Sequence, residues 1–166
     1  MKRLFQPEAI LSRYQDLDYR LYYEKGYRVL LVDIDNTLVP YYCKDPDDNA
    51  KAFLNAVQEC GYQVIIFSNN NPQRVCRFAS GVSLKAYYRS LKPLKITYKR
   101  ILKENDIDPS RVICMGDQLL TDVLGAKRMG LCVFYVKPII SKDSYTTVIN
   151  RAIERLIFRY ILHEKV

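Results

Sequence analysis

The sequence predicts a doubly wound α/β fold around a mainly parallel sheet. Five short apolar runs alternate with segments of helical periodicity, and this alternation is typical of βαβ units. The first run, Val29-Leu30-Leu31-Val32, is apolar at every position, which favours a parallel strand buried on both faces. With 166 residues, of which 49% are hydrophobic and 27% charged, the chain has the length and composition of one folded domain spanning 1–166.

Local signals place the elements along the chain. Residues 1–26 lack a clear period and predict an irregular, short-helical N-terminal segment. Strands are predicted at residues 28–33, 63–67, 84–87, 111–115 and 131–136. Helices are predicted at residues 48–60, 93–105, 119–129 and 147–163, with one more that begins at Pro72. Asp47 or Asp48 can cap the first of these helices, and Asn71 can cap the helix at Pro72.

Composition excludes several kinds of chemistry. The single histidine, His163, lies near the C-terminus, so a metal site built from three histidines cannot form. The five cysteines include no CxxC pair, which argues against zinc and against a disulfide framework. Such cysteine usage favours a reducing, cytoplasmic compartment. No apolar run reaches transmembrane length, and the first residues lack the apolar segment of a signal peptide.

Two carboxylates, Asp33 and Asp35, follow the first predicted strand directly. Like charges this close repel each other, so the pair is costly unless a cation lies between them. A divalent metal is the usual solution, and carboxylate oxygens are the hard ligands that Mg²⁺ prefers. A helix cap or a turn is the alternative interpretation, because Asp and Asn favour both.

Other polar residues follow the neighbouring strands. Ser68 and Asn69 come after the second strand, where a hydroxyl and free backbone N–H groups can hold phosphate oxygens. Asp117 and Asp122 come after the fourth strand, and ligands of such sheets bind at the carboxyl ends of the strands. Two acidic pairs at the ends of two strands predict a metal site. Lys92 supplies a cation that can offset the charge of a transferring phosphoryl group.

The net charge is +8, and its distribution is uneven. Residues 60–103 contain no Asp or Glu. The lysines and arginines of this acid-free stretch are Arg74, Arg77, Lys85, Arg89, Lys92, Lys95, Lys99, Arg100 and Lys103. A block of one sign indicates an anionic partner, which can be nucleic acid, an anionic lipid or a phosphorylated substrate. A solvated basic face without a partner is the alternative.

The order and spacing of these residues resemble the four motifs of the haloacid dehalogenase (HAD) superfamily of phosphohydrolases. The matching residues are Asp33, Asp35 and Thr37 for the first motif, Ser68 for the second, Lys92-Pro93 for the third, and Gly116, Asp117 and Asp122 for the fourth. The resemblance spans residues 27–136. The chain is similar in particular to the bacterial YqeG-type group of subfamily IIIA, which resembles phosphatidylglycerophosphate phosphatases.

The resemblance implies a mechanism. Asp33 would be the nucleophile that forms an aspartyl-phosphate, and Asp35 would protonate the leaving oxygen and then take a proton from water. Mg²⁺ would be held by Asp33, by the backbone carbonyl of Asp35 and by Asp117, with Asp122 as a ligand or as support.

The same resemblance implies the groups that hold the phosphate. Ser68, the Asn69 amide and Lys92 would bind the phosphoryl oxygens, and Thr37 would orient the loop that surrounds them.

The substrate is less closely defined. The intervals between the motifs are too short for a cap domain, and an open site suits a large substrate or one at a surface. Tyr41 and Tyr42 could meet a headgroup boundary. These features and the basic block favour an anionic phospholipid at the cytoplasmic membrane surface, and the resemblance implies that this lipid is phosphatidylglycerophosphate. A phosphoprotein, a nucleotide or a sugar phosphate is an alternative substrate, and an RNA- or ribosome-binding module without activity is another alternative.

The C-terminal segment, residues 147–166, predicts an amphipathic helix. Its apolar face is predicted to consist of Ile149, Ala152, Ile153, Leu156, Ile157 and Tyr160, flanked by Arg151, Arg155 and Arg159. A face of this kind can lie in a membrane interface, or it can pack against the core.

Overall fold

The computed structural model describes residues 2–140 and 145–163 and contains one parallel sheet of six strands. The strands are β1 (Ala9–Leu11), β2 (Val29–Val32), β3 (Gln63–Phe67), β4 (Lys85–Tyr87), β5 (Val112–Gly116) and β6 (Cys132–Val136). Their spatial order is β1-β6-β5-β2-β3-β4, and every neighbouring pair is parallel. The predicted α/β class is confirmed.

Helices cover both faces of the sheet. They are α1 (Lys2–Phe5), α2 (Tyr19–Glu24), α3 (Asp48–Glu59), α4 (Pro72–Ser80), α5 (Lys95–Glu104), α6 (Leu124–Arg128) and α7 (Tyr145–Ile157). Helices α3 and α4 pack on one face, and α5, α6 and α7 on the other. Residues of β2 alternate between these two cores, with Leu30 and Val32 in the first and Val29 and Leu31 in the second. Because both faces are covered, the whole run is apolar.

The helix boundaries follow the predicted caps. Asp47 Oδ1 accepts a hydrogen bond from Ala50 N at 2.7 Å, and Asn71 Oδ1 accepts one from Arg74 N at 2.9 Å. Each bond satisfies a backbone N–H that has no partner within its helix. Gly61 follows α3 with φ +105°, a conformation that glycine adopts without strain.

The N-terminal segment contains a strand that the sequence analysis missed. Ala9–Leu11 pairs with β6 at the edge of the sheet, and the amide of Glu8 donates to the carbonyl of Val133 at 2.8 Å. With three residues, of which only Leu11 is buried, β1 has too short a pattern to stand out in a segment of unclear period.

The C-terminal helix packs on the core through only part of the apolar face predicted for it. Helix α7 continues as a π-helical turn, Phe158–Leu162, and from residue 150 onward the buried residues are Glu154, Ile157, Phe158 and Leu162. Of the predicted apolar face, Ile157 is buried, whereas Ala152, Ile153, Leu156 and Tyr160 are exposed. The side chain of Ile149 lies outside the described residues.

The intervals between the predicted motif residues contain only core elements of the fold. Residues 36–67 form a loop followed by α3 and β3, and residues 69–91 contain α4 and β4. The carboxyl edge of the sheet is therefore not covered by an inserted domain in either interval. Among the described helices, none is both long and apolar enough to cross a membrane.

The orientation of α7 predicts opposite stability effects for two adjacent residues. Ile157 is 8% exposed and Leu156 57% exposed. We expect Ile157→Ala to lower the free energy of unfolding by roughly 2–5 kcal/mol, because it leaves a cavity in the core. Leu156→Ala should change it by less than about 0.5 kcal/mol, as is usual at the surface. Urea unfolding followed by circular dichroism measures both, and equal losses would show that this packing is wrong.

Candidate active site

The carboxyl ends of three adjacent strands bring the predicted site residues together. Strand β2 pairs with β5 on one side and with β3 on the other. Asp33 follows β2, Ser68 follows β3, and Asp117 follows β5. The backbone amide of Asp33 still donates to the carbonyl of Met115 at 3.0 Å, so the first motif begins in register with the sheet.

Three buried carboxylates form a cluster at this edge. Oxygens of Asp33, Asp117 and Asp122 lie within 4.8 Å of one another. Burial raises the pKa of Asp117 and of Asp122, because it disfavours their charged forms, and Asp33 adds to both effects. Such a group of charges requires compensation by cations.

Lys92 supplies one of these cations from the loop between β4 and α5. Its Nζ lies 2.6 Å from Asp122 Oδ1, 2.8 Å from the carbonyl oxygen of Phe67 and 3.1 Å from Asp33 Oδ1. Burial of the ammonium group disfavours its charged form, but Asp122 and Asp33 outweigh that effect and raise the pKa of Lys92. Lys92 is therefore charged in the site.

Asp33 retains a carboxylate oxygen without a hydrogen bond. Its Oδ1 is buried and, among the described residues, has no partner with hydrogen-bond geometry. The Lys92 ammonium group at 3.1 Å forms an ion pair with this oxygen but is not aligned as a donor. Buried oxygens of this kind are rare, and a hard cation would satisfy this one. Asp33 and Asp117 thus fit a divalent metal.

Asp122 is held on both of its oxygens. Oδ1 accepts from Lys92, and Oδ2 accepts from the backbone amide of Gln118 at 3.1 Å. Gly116 makes this approach possible, because a Cβ at that position would lie 2.3 Å from Asp122 Cγ. These contacts support Lys92 and the loop after β5, and Asp122 also lies in the cluster of carboxylates that could hold a metal, so it combines the two roles that the resemblance left open.

Asp35 does not belong to the cluster of three carboxylates but has its own partners. Its Oδ2 accepts from Asn70 Nδ2 at 3.0 Å, and its Oδ1 accepts from Arg74 Nε and Nη2 at 3.1 and 2.9 Å. Burial and the neighbouring Asp33 raise the pKa of Asp35, and Asn70 and Arg74 act in the opposite direction. A carboxyl group with a raised pKa suits exchange of protons with a substrate.

The tight turn after Asp35 buries Thr37. Asn36 has φ +59°, a left-handed conformation that Asn tolerates better than most residues, and its amide donates to the carbonyl of Val39 at 2.8 Å. The Thr37 hydroxyl donates to Asp117 Oδ1 at 3.3 Å and has no exposed surface. It ties the loop after β2 to the loop after β5.

Ser68 and Asn69 shape the loop after β3. Ser68 Oγ accepts from the amide of Asn70 at 3.2 Å. The Asn69 side chain forms a reciprocal pair with the backbone of Lys92, at 2.8 Å to its amide and 3.1 Å to its carbonyl oxygen. The second motif therefore positions the third.

Comparisons with known proteins identify the family of this chain. A family model described as HAD-hydrolase-like matches residues 91–143. A protein of Bacillus subtilis (strain 168) named "Probable phosphatase YqeG" is 30% identical over 157 residues, which cover 95% of this chain and 91% of the relative. The chain belongs to the HAD-like phosphatase family.

Two further similarities are consistent with this family. The glyceraldehyde 3-phosphate phosphatase of Pyrococcus abyssi (strain GE5 / Orsay) is 26% identical over 136 residues, which cover 76% of this chain and 55% of the relative. A solved structure of the putative HAD-hydrolase YfnB from Bacillus subtilis, bound to magnesium, has a TM-score of 0.54 and covers 72% of this chain and 91% of that chain. Its sequence identity is 12%, so it shows the common fold alone.

Helix α7 adds a second cation to this HAD-like site. The Arg151 guanidinium group contacts the Asp117 carboxylate and donates through Nη1 to the Asp117 carbonyl oxygen at 2.5 Å. Nη1 also donates to Glu154 Oε2 at 3.0 Å, and Glu154 Oε1 accepts from the amide of Leu120 at 3.1 Å. The sequence analysis missed the contact of Arg151 with Asp117 and the contacts of Glu154, and it assigned Arg151 to the flank of an apolar face. The one local signal was Glu154, an acidic residue next to that face.

Proposed function

We propose that this protein is a Mg²⁺-dependent phosphomonoesterase that acts through an aspartyl-phosphate on Asp33 and hydrolyses phosphatidylglycerophosphate to phosphatidylglycerol. The chemistry rests on one observation above all. The carboxylate of Asp33 is buried beside a lysine and a second carboxylate, and one of its oxygens has no hydrogen bond among the described residues.

The reaction proceeds in two steps on this chain. In the first, Asp33 forms a bond to phosphorus as the ester P–O bond breaks, and the leaving oxygen takes a proton from Asp35. In the second, a water oxygen bonds to phosphorus, the aspartyl P–O bond breaks and the proton of the water passes to Asp35. Inorganic phosphate leaves and both side chains are restored.

The charges of the site support these steps. Asp33 and Asp117 would hold Mg²⁺ together with the backbone carbonyl of Asp35, and Asp122 would support them. When bound, the metal neutralises charge on the phosphoryl oxygens. Lys92, Ser68 and the amide of Asn69 bind the same oxygens, and Thr37 fixes the loop. Positioning and charge neutralisation carry most of such catalysis.

The surroundings of the site support a lipid substrate. The carboxyl end of the sheet is not covered by an inserted domain, and exposed apolar side chains lie in the segments that follow β2, β4 and β6. These are Tyr41, Tyr42, Tyr88, Leu91, Leu94, Ile96 and Ile139. Aromatic side chains of this kind favour the headgroup region of a membrane. The phosphomonoester of the lipid is terminal, so it can enter the site while its acyl chains remain in the bilayer.

Exposed basic residues accompany the apolar ones. Arg89, Lys95 and Lys99 are exposed, and within the described part of the chain they form no ion pair. We call these three residues, with Tyr88, Leu91, Leu94 and Ile96, the site rim. A cationic rim is attracted to the anionic cytoplasmic leaflet, where each basic residue contributes about 1 kcal/mol. The free thiols of all five cysteines are compatible with that compartment.

Two arginines of the acid-free stretch do not belong to this rim. Arg74 pairs with Asp35 at 2.9 Å, and Arg77 pairs with Asp45 at 2.6 Å. Their charges are neutralised within the protein, so the basic block provides a smaller cationic surface than its composition indicates.

Removal of the nucleophile tests the chemistry. We expect Asp33→Asn to lower turnover of a nitrophenyl phosphate by roughly 10⁴–10⁶-fold, as for other covalent nucleophiles, and to leave the circular dichroism spectrum unchanged. Asp45→Asn is the matched control, because Asp45 is exposed and pairs with Arg77, which is not part of the cluster. Substantial turnover by the folded Asp33→Asn protein would exclude the aspartyl-phosphate.

Loss of a ligand tests the metal. We expect Asp117→Asn to weaken Mg²⁺ binding, measured by titration calorimetry, by at least about 10–100-fold. Loss of a residue that only supports a metal ligand typically costs that much, and loss of a ligand should cost no less. Turnover should fall in parallel, and Asp45→Asn should change neither quantity. Calcium should bind but inhibit, because its looser coordination misplaces the carboxylate that attacks. Full activity in excess chelator would contradict the metal requirement.

Charge reversal of the rim tests the substrate. We expect Arg89→Glu, Lys95→Glu and Lys99→Glu together to reduce hydrolysis of phosphatidylglycerophosphate in anionic vesicles far more than hydrolysis of a nitrophenyl phosphate. Salt should weaken vesicle binding, since the Debye length falls from about 10 Å at 0.1 M to about 3 Å at 1 M. Arg20→Glu, Lys25→Glu and Lys103→Glu make the same change of charge at exposed residues in the segments that lead into β2 and β5, and they serve as the control.

Two outcomes would redirect this assignment. Equal losses on both substrates would indicate damage to the site and not to docking. Hydrolysis of nitrophenyl phosphate without any hydrolysis of the lipid would assign the enzyme to another phosphorylated substrate, such as the small phosphate ester named for the Pyrococcus abyssi relative.

A further inference from the structure

Helix α4 fixes the side chain of Asp35 from outside the four motifs. Arg74 donates two hydrogen bonds to Asp35 Oδ1, through Nε at 3.1 Å and Nη2 at 2.9 Å. Asn70, which precedes the helix, donates to Oδ2 at 3.0 Å. Since both oxygens are held, the carboxylate cannot rotate without breaking these bonds.

The guanidinium group of Arg74 has further partners besides Asp35. Nη1 donates to the carbonyl oxygen of Lys44 at 2.8 Å, and the guanidinium carbon lies 5.5 Å from the ring centre of Phe78. The side chain is 11% exposed. Its backbone amide donates to Asn71 in the first turn of α4. The planar group therefore joins the loop after β2 to α4 in one geometry.

We propose that Arg74, with Asn70, is a positioning residue that orients the Asp35 carboxylate for both proton transfers of the reaction. The inference rests on the proposed aspartyl-phosphate mechanism. Proton transfer requires hydrogen-bond reach between the acid and the leaving oxygen, so a carboxylate that rotates freely is a poorer acid and base.

Substrates with different leaving groups distinguish this positioning role from a merely structural one. An alkoxide leaves only if it receives a proton, whereas a nitrophenolate is stable without one. Loss of the correct Asp35 orientation should therefore impair cleavage of an alkyl phosphate much more than cleavage of a nitrophenyl phosphate. A distorted site would impair both substrates alike.

The chain offers a matched control on the same helix. Arg77 also forms a two-point pair with an aspartate, Asp45, at 2.7 and 2.6 Å, and it joins α4 to the same loop as Arg74 does. Both members of this pair are more than half exposed, and neither contacts Asp35. Arg77→Ala thus removes an arginine and a tie between helix and loop without touching the proton-transfer group.

The experiment compares kcat/KM for glycerol 3-phosphate and for a nitrophenyl phosphate in wild type, Arg74→Ala, Arg74→Lys and Arg77→Ala. For each ester, kcat/KM reports the steps up to and including the transfer of phosphorus to Asp33. We expect Arg74→Ala to lower it roughly 10²-fold for the alkyl ester, the lower range for loss of acid–base catalysis, and only slightly for the aryl ester. Arg74→Lys keeps the charge but not the fork, and should show the same preference to a smaller degree. Arg77→Ala should match wild type on both esters.

The second step gives an independent readout. With nitrophenyl phosphate, Arg74→Ala should release a rapid burst of nitrophenolate and then turn over slowly, because water attack on the aspartyl-phosphate still needs Asp35 as base. Wild type and Arg77→Ala should show a smaller burst. Asn70→Ala should share the substrate preference and the burst, which provides a second variant if Arg74→Ala does not fold by circular dichroism.

The outcomes distinguish this inference from the proposed function. Equal losses on both esters, or no loss on either, in folded Arg74→Ala and Asn70→Ala would overturn the positioning role while wild type remains an active phosphatase. Wild type without activity on any phosphate ester, or with activity unchanged by Asp33→Asn, would overturn the proposed function itself.

Discussion

Three carboxylates buried at the end of one sheet are the constraint on which the rest of the site depends. Asp33, Asp117 and Asp122 cannot all be charged in a buried site unless cations neutralise them. The fold provides these cations from two distant elements, Lys92 from the loop before α5 and Arg151 from α7. Gly116, the last residue of β5, leaves room for the third carboxylate, and the buried Thr37 ties the two acidic loops together. The geometry of the site thus depends on these ion pairs as well as on the order of the strands.

Signals confined to a few adjacent residues made much of this structure predictable. The apolar run of β2, the cap at Asn71 and the four motifs each depend on a short stretch of chain, and the elements they predict are present. The missed features depend on partners far along the sequence. Arg151 lies against a carboxylate 34 positions earlier, and Arg74 against one 39 positions earlier. The side of α7 that is buried could not be read from its apolar pattern alone, because it combines Glu154 with Ile157 and Phe158.

The basic stretch shows why charge counted along a sequence overstates a surface. Arg74, Arg77 and Arg100 are paired with acidic residues that lie at or beyond the ends of the stretch, and Lys92 is buried among carboxylates. What remains exposed near the site is a smaller group on one loop and one helix turn. That group is next to exposed apolar side chains, a combination that composition alone does not reveal.

The contact between α7 and Asp117 also determines where this domain can be cut. The sheet is complete at Val136, and the motifs end at Asp122, so both suggest a functional unit that stops before the last helix. A fragment that ended there would keep every motif but lose the guanidinium group beside Asp117 and the carboxylate that holds the amide of Leu120. A fragment that keeps the site electrically balanced must therefore extend beyond Glu154 of α7.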